Sequence, residues 1–227
     1  MIKTRIAILM TISITLLVPS LAPAQVLGPL LPRGTVEVGA QVRWVHRDLE
    51  NIRSTMVVDQ YDFSLPVRYG VSKYATLSAE LFSADEGFHS LERDLRYYLI
   101  GIGLHALLWK NDDYILSAGA HYTESFIRDK TGSFFDLTHF SSTTILQLQR
   151  SFRRRKLDIT VWGGPLLFYY NVRREAGNNY SEVSWGTTDI FGGALGLNLL
   201  FHDHYQFCYN IIYVDYYQPR IGFSYRF

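Results

Sequence analysis

The chain has 227 residues, with 22 Lys and Arg against 21 Asp and Glu, and a single cysteine, Cys208. This near-neutral balance excludes the strongly basic surface typical of nucleic-acid binding. One cysteine cannot form an internal disulfide framework. Beyond residue 24 there is no run of eighteen apolar residues, so the sequence predicts no transmembrane helix. The chain nevertheless carries 16 tyrosines and 14 phenylalanines, whose placement the fold has to explain.

Residues 1–24 are predicted to be a cleaved secretory signal peptide. Lys3 and Arg5 precede a thirteen-residue apolar run, 6–18, and two small alanines lie where a signal peptidase would cut. Thirteen helical residues rise only about 20 Å, which is short of a bilayer core of about 30 Å. We therefore expect an exported mature chain with a charge near −1 and one domain, residues 25–227.

The mature chain alternates between apolar and polar residues with a period of two. In the first segment Val36, Val38, Ala40, Val42 and Trp44 share one face, and polar residues or glycine share the other. Gly163-Gly164-Pro165 interrupts the seventh segment, where we expect a β-bulge. In all, the pattern predicts ten strands, at 35–46, 56–69, 74–83, 94–109, 114–127, 138–152, 157–172, 185–200, 205–214 and 219–227.

The connections between these strands alternate in length. Long polar loops are predicted at 47–55, 84–93, 128–137 and 173–184. Short turns are predicted at 70–73, 110–113, 153–156 and 202–204, and the last connection, 215–218, is also short. Long loops on one side and short turns on the other are typical of a transmembrane antiparallel up-and-down β-barrel with an even strand number. The sequence thus predicts an all-β barrel of ten strands, or of eight if a strand assignment is wrong.

Aromatic residues lie near the predicted strand ends, where their amphipathic rings suit the two membrane interfaces. They are Trp44 and Trp185 on the long-loop side and, on the short-turn side, Tyr69, Tyr74, Trp109, Tyr114, Phe152 and Tyr205.

The final residues, Ile221-Gly222-Phe223-Ser224-Tyr225-Arg226-Phe227, make an alternating strand that ends on an aromatic residue. With this ending, the chain resembles the small outer-membrane β-barrel proteins of Gram-negative bacteria over residues 25–227. The resemblance implies an integral outer-membrane location and no cofactor. It implies passage through the periplasm with chaperones, and an assembly signal for the barrel assembly machinery in Ile221, Phe223, Tyr225 and Phe227. Outer-membrane lipids and lipopolysaccharide would be its neighbours.

Charged residues of both signs are predicted to face the lumen, and buried charges need partners. The set is Glu37, Arg43, Asp62, Arg68, Glu80, Arg96, Asp158, Arg220 and Arg226. Inward glycines leave some room, at 39, 101, 103, 119, 192, 196 and 222. Because an eight-stranded barrel is filled by side chains and one of sixteen strands holds a channel, we expect a largely plugged lumen with an ion-pair network. A narrow gated path is the alternative.

His139 and Ser141 are the candidate catalytic pair, since residues two apart on a strand point the same way. A serine activated by a histidine is the logic of acyl transfer, and the pair is similar to the motif of outer-membrane lipid A deacylases. That motif continues with asparagine, whereas Ser142 follows here, and the predicted strand has no downstream glutamate. The sequence favours a non-catalytic role for both residues.

The other histidines carry weaker signals. His202 and His204 flank Asp203 in a turn, and without a third ligand they predict no metal site. His105 and His121 are interpreted as separate, mutually offset lumen residues.

Two basic runs could meet anionic groups. Residues 153–156, in a short turn, could contact lipid headgroups, although a solvated turn explains them equally well. Arg173 and Arg174 begin the largest loop and could bind lipopolysaccharide phosphates.

Three functions follow from these observations. The favoured one is a non-enzymatic surface barrel with a structural, adhesive or ligand-contacting role carried by its loops. The second is a narrow channel for ions or for small or apolar solutes. The third is a lipid A acyl hydrolase acting in the outer leaflet. The fold alone does not choose among them.

Overall fold

The computed structural model describes residues 28–50, 55–88, 93–128, 136–175, 183–186, 190–214 and 216–227. The predicted signal peptide, 1–24, lies outside these ranges. Within them there is no helix long and apolar enough to cross a membrane. The strands are β1 Val36–Glu50, β2 Thr55–Ser72, β3 Ala75–Phe88, β4 Arg93–Lys110, β5 Tyr114–Arg128, β6 Asp136–Arg154, β7 Leu157–Glu175, β8 Val183–Gly186, β9 Phe191–Phe201, β10 Tyr205–Val214 and β11 Tyr216–Arg226.

Ten of these strands form one closed antiparallel wall. Each strand from β1 to β7 pairs with the next, β7 then pairs with β9, and β9, β10 and β11 follow in order. The wall closes because β11 pairs with β1, from Glu37 opposite Arg226 to Arg43 opposite Arg220. The prediction of a ten-stranded up-and-down barrel is confirmed, and eight strands are excluded. In the part of the chain that the structure describes, each of the ten wall strands pairs with a neighbour on both sides, as a barrel in lipid requires.

The strands on the long-loop side extend beyond their predicted ends. β1 continues to Glu50 and β2 begins at Thr55, so most of the predicted loop 47–55 is strand. At 84–93 most of the predicted loop is likewise strand, whereas at 128–137 only residues 128, 136 and 137 are, and 129–135 lie outside the described residues. About 9–11 residues are enough to span a membrane, and β6 and β7 have 19 each. The apolar alternation stops at the membrane surface because both faces of the extensions can be polar, so the sequence pattern underestimates strand length.

The predicted eighth strand, 185–200, is divided into β8 and β9. β9, β10 and β11 have only 10 or 11 residues, and Val214 of β10 pairs with Tyr216 of β11. The predicted connection 215–218 is therefore almost entirely strand. β8 pairs with β7 and, at Gly186, with Glu50 of β1. β8 thus connects β7 to β1 beyond the ends of the short strands β9, β10 and β11.

The predicted bulge at Gly163-Gly164-Pro165 is wrong. The β6–β7 register is the same on both sides of it, with Ile145 opposite Leu166 and Leu148 opposite Gly163. Register shifts occur instead between Gly70 and Ser72 and between Leu107 and Trp109. Gly164 packs so closely on the Leu146 carbonyl that a Cβ there would overlap it. β7 therefore accommodates the proline by leaving two residue pairs of the β6–β7 ladder unformed. It inserts no extra residue, as a bulge would.

Candidate functional site in the barrel wall and lumen

The outer wall carries the large apolar side chains. Along β10, the residues alternate between exposed or half-buried outward positions and fully buried inward positions. Phe191, Leu195 and Ile100 are 73%, 69% and 64% exposed, although their strands are paired on both sides. A water-soluble protein rarely exposes so large a continuous apolar surface. This distribution, apolar outside and polar inside, is the inverse of a soluble domain.

Aromatic residues border this apolar belt. Trp44 pairs with Tyr61 at the long-loop edge, and both rings are exposed. Tyr69 lies eight residues along β2 from Tyr61, or about 26 Å of strand. At the tilt of about 35–45° typical of membrane barrels this is a height of about 20 Å, comparable with their apolar band of about 25 Å. The closed wall and its outer apolar belt are those of a transmembrane β-barrel. Among the predicted interfacial aromatics, the side chain of Trp185 lies outside the described residues; the exposed ones are Trp44, Tyr69, Tyr74, Trp109, Tyr114, Phe152 and Tyr205.

Solved outer-membrane barrels resemble this fold at low identity. The translocator domain of autotransporter NalP from Neisseria meningitidis is 12% identical, with coverage of 84% of this chain and 88% of that chain and a TM-score of 0.44. An outer membrane channel from Pseudomonas putida F1 is 10% identical, with coverage of 92% and 100% and a TM-score of 0.44. The attachment invasion locus protein Ail of Yersinia pestis is 12% identical, with coverage of 86% and 99% and a TM-score of 0.39.

No family model matches this barrel, and no curated protein matches it. Its function therefore has to be argued from its own lumen and rim.

At the short-turn end, the lumen side of four neighbouring strands, β2, β1, β11 and β10, carries a network centred on Glu37. Its Oε1 accepts a hydrogen bond from Arg68 Nη1 at 3.0 Å, and its Oε2 accepts one from Arg226 Nε at 2.6 Å. Arg226 also donates to Gln206. All four side chains are at most 8% exposed. Two cations around one carboxylate satisfy both of its oxygens, which a buried charge needs.

The segment that precedes β1 lies inside the same mouth. Arg68 Nη2 donates to the Pro29 carbonyl at 2.5 Å, and Gln147 Nε2 donates to the Gly28 carbonyl at 3.2 Å. The Leu31 N–H donates to Thr76 Oγ1 at 2.9 Å, and the Leu31 side chain is 2% exposed. Residues 28–32 therefore form a plug in the mouth at the short-turn end, which the sequence did not predict. The residues close to Leu31 in the sequence form no pattern that would have predicted this plug.

A second charged group lies further along the lumen. Arg43 Nε donates to Asp62 Oδ2 at 2.6 Å, and the Arg43 guanidinium lies 5.8 Å from the centre of the Phe82 ring. Arg220, on β11, is 3% exposed and interacts electrostatically with Arg43, Glu80 and Asp62. Side chains from four strands thus meet in one group.

The half of the lumen nearer the long loops contains an apolar layer that the sequence analysis missed. On β7 the lumen side carries Phe168 and Tyr170, while the outer side carries Leu167 and Tyr169, so apolar residues occupy both faces. When both faces of a strand are apolar, the alternation of residue types does not indicate which face points into the lumen. The buried members of the layer are Val45, Phe82, Leu99, Leu166, Phe168, Tyr170, Ile212 and Val214.

Inward glycines accommodate neighbouring side chains instead of leaving an open path. A Cβ on Gly103 would overlap the His121 ring, and one on Gly196 would overlap the Trp162 indole. A Cβ on Gly222 would lie 2.5 Å from Gln41 Cγ. His121, Trp162 and Gln41 are each at most 4% exposed. The room that the glycines were expected to leave is therefore occupied at these three positions.

The structure places most of the predicted lumen charges in these groups. Arg43 is 12% exposed and Asp158 27%, the latter at the rim, where Arg153 approaches it at 3.4 Å. The side chain of Arg96 lies outside the described residues. The other predicted members are fully buried, namely Glu37, Asp62, Arg68, Glu80, Arg220 and Arg226.

The candidate catalytic pair lies in β6. Ser141 is buried on the lumen side, between Thr123 of β5 and Tyr170 of β7. The side chain of His139 lies outside the described residues. The opposite face of this strand forms the outer wall, so a lipid acyl ester at that wall would not reach the Ser141 hydroxyl.

The remaining histidines make structural contacts. His202 and Asp203 have positive φ values of 53° and 63°, a backbone typical of hairpin turns. His204 Nδ1 lies 2.9 Å from the Arg226 carbonyl, and its ring stacks on Tyr225. No group of three or more His, Cys, Asp or Glu side chains among the described residues could hold a metal.

His105 and His121 occupy separate levels of the lumen. His105 pairs with Gly119, and His121 with Gly103, so the two rings are offset along the barrel as the sequence predicts. His105 Nε2 lies 2.8 Å from Ser117 Oγ, so the two histidines form no joint site.

Proposed function

We propose that this outer-membrane barrel is a non-conducting surface protein, whose role lies in contacts made at its extracellular rim. The observation that carries the proposal is the filled lumen. The plug and the Glu37 network occupy the periplasmic mouth, and the apolar layer occupies the other half. Two successive layers of different chemistry, one charged and one apolar, support a lumen that does not conduct hydrated ions.

The rim is where a partner could be contacted. β1 extends six residues beyond Trp44, to Glu50, and the neighbouring strands rise with it. The extension begins with a half-exposed pair in which His46 Nδ1 lies 2.6 Å from Asp59 Oδ1. Paired strands hold rim residues more rigidly than free loops would, and recognition residues commonly lie on such scaffolds. Lipopolysaccharide phosphates are the proposed partners of Arg173 and Arg174, at the far end of β7.

The bilayer test of this function uses the mature protein refolded into planar lipid bilayers. We expect no steady single-channel steps. The double variant Phe82→Ala/Phe168→Ala, which thins the apolar layer, together with deletion of residues 25–33, should then conduct. Steady conductance by the unmodified mature protein would contradict the proposal and favour the narrow channel.

The terminal strand is the proposed signal for assembly. Phe227 is 72% exposed and packs edge-on against Tyr225, with ring centroids 4.8 Å apart. We expect Phe227→Ala to reduce the amount of assembled barrel in cells while refolding in detergent is unchanged. Equal losses in cells and in detergent would assign Phe227 to stability instead of to recognition.

A further inference from the structure

The outer face of β6 changes from apolar to basic as the strand approaches its short-turn end. Leu146 and Leu148 face outward and are 42% and 48% exposed. The next outward residues along the strand are Arg150, Phe152 and Arg154, all of them exposed. Because residues two apart on a strand share a face, the two arginines lie on the outer side of the wall, at the edge of its apolar belt.

Two aromatic rings hold Arg150 against the wall. The central carbon of its guanidinium lies 5.2 Å from the centre of the Tyr114 ring and 5.0 Å from that of the Phe152 ring. Its Nη1 donates to Tyr114 Oη at 3.4 Å, and its Nη2 donates to Asp113 Oδ1 at 3.2 Å. A guanidinium has five N–H donors in a planar fork that matches the geometry of a phosphate. Donors therefore remain on Arg150 for a further acceptor.

The basic turn beside this face has more positive charge than the neighbouring carboxylates neutralise. Arg153, on the lumen side of β6, pairs with Asp158 at 3.4 Å and with Asp203 at 3.1 Å. Within the part of the chain that the structure describes, no carboxylate pairs with Arg154. The same holds for Arg155, which is exposed and has a positive φ of 55°. Positive charge thus remains free at the membrane interface, where it attracts anionic lipid.

A groove in the outer wall continues from this basic edge. Its volume is about 920 Å³, and Ala120 of β5 and Thr144 of β6 are among the residues that line it. These two residues are register partners, as are Tyr114 and Arg150 six residues along the same strands. Six residues correspond to about 20 Å of strand and, at a tilt of about 35–45°, to a height of about 15 Å. This is half of a bilayer core of about 30 Å, so the distance suits one acyl chain in one leaflet.

We propose that this outer surface of β5 and β6 binds one phospholipid with an anionic headgroup, from the leaflet at the short-turn end. Arg150 and Arg154 bond the phosphate, and the two rings fix the orientation of Arg150. One acyl chain passes over Leu148 and occupies the groove beside Ala120. The apolar wall alone would accept any lipid, so the selectivity for headgroup charge comes from the two arginines. This lipid site is independent of whether the lumen conducts.

Native mass spectrometry of the folded barrel in detergent tests this selectivity. The protein is mixed with equal amounts of phosphatidylglycerol and phosphatidylcholine, and single bound lipids are counted. We expect at least about fivefold more phosphatidylglycerol, the factor that one basic residue contributes next to anionic lipid. In Arg150→Gln/Arg154→Gln the ratio should fall to about one. Arg33→Gln/Arg153→Gln is the control and should keep the ratio, because it removes the same charge from exposed residues that lie off the outer face.

The groove and the source of the phosphate are tested in separate arms. Ala120→Phe places a ring in the groove and should reduce the binding of both lipids severalfold, whereas Ala40→Phe, on the outer wall of β1, should not. Excess glycerol phosphate, which has the headgroup charge without acyl chains, should displace no lipid. The proposal is overturned by an unchanged ratio in Arg150→Gln/Arg154→Gln, by an equal fall in its control, by unchanged binding in Ala120→Phe, or by displacement with glycerol phosphate. Each of these results would leave the non-conducting function to its own bilayer test.

Discussion

Glu37 and Arg226 are joined across the seam where the first and last strands of the barrel meet. Their side chains are 2.6 Å apart, and the two residues are direct partners in the β1–β11 register. On its other side, Glu37 is the register partner of Arg68 on β2. A shift of one residue at the seam would turn Glu37 towards the lipid. One carboxylate therefore specifies the closure of the barrel.

Replacing this carboxylate should destabilise the barrel strongly. Glu37→Gln leaves two buried guanidinium groups without a negative partner, and breaking a buried ion pair on one side costs about 3–5 kcal/mol. The free energy of unfolding in urea, measured from lipid vesicles, checks this. Asp113→Asn is the matched control, because its partner Arg150 lies at 3.2 Å on the exposed surface. There we expect about 0–1 kcal/mol. Equal losses for the two variants would contradict a structural role for Glu37.

Adding a single methyl group inside the barrel should displace a tryptophan. In Gly196→Ala the new Cβ would overlap the Trp162 indole, and overpacking of this kind costs about 1–3 kcal/mol. The tryptophan emission should shift as the indole moves. Gly193→Ala is the control, since its Cβ would meet only the Gly164 carbonyl, at 3.7 Å. A normal unfolding curve and emission spectrum for Gly196→Ala would show that this part of the lumen is loosely packed.

A charge placed on the outer wall should show where the bilayer lies. Ile221 faces outward and is 52% exposed, and its neighbours in the wall are Val42 and Tyr209. We expect Ile221→Arg to cost about 2–4 kcal/mol, as at a bilayer midplane. Phe201→Arg, at the end of β9, should cost about 0–1 kcal/mol because the interface solvates the charge. The free energies of unfolding of the two variants are compared in the same vesicles. A larger loss of stability for Phe201→Arg would contradict the predicted position of the bilayer.

The plug should loosen when a side chain is added to the strand residue against which it packs. A Cβ on Gly70 would overlap the Pro32 carbonyl, so Gly70→Ala should push the segment outward. Hydrogen exchange at the Leu31 amide, which is bonded to Thr76 in the lumen, should become faster. Amides of β10, far from the mouth, provide the internal control. Unchanged exchange at Leu31 would mean that the backbone of β2 shifts instead of the plug.

The outer wall was largely predictable, and the lumen was predictable only in part. The alternation of Val36 to Trp44 on β1 assigns each residue to lipid or lumen, because the side-chain period of a strand is two. The same rule fails for Phe168 and Tyr170, whose outward neighbours are also apolar. It also missed the extent of β1 and β2 beyond the membrane, where the alternation of apolar residues ends.

The sequence by itself determined the architecture, since its alternation, aromatic strand ends and turn spacing depend only on local geometry and on the contrast between lipid and water. Only the tertiary structure decided what fills the barrel. Glu37 bonds Arg226 across 189 positions of sequence, and Gln147 bonds Gly28 across 119. Such pairings depend on the register at closure and on the path of a segment with no periodicity. Neither the register at closure nor the path of this segment produces a local sequence pattern. The closed seam and the plug are therefore visible only in the complete ten-stranded barrel.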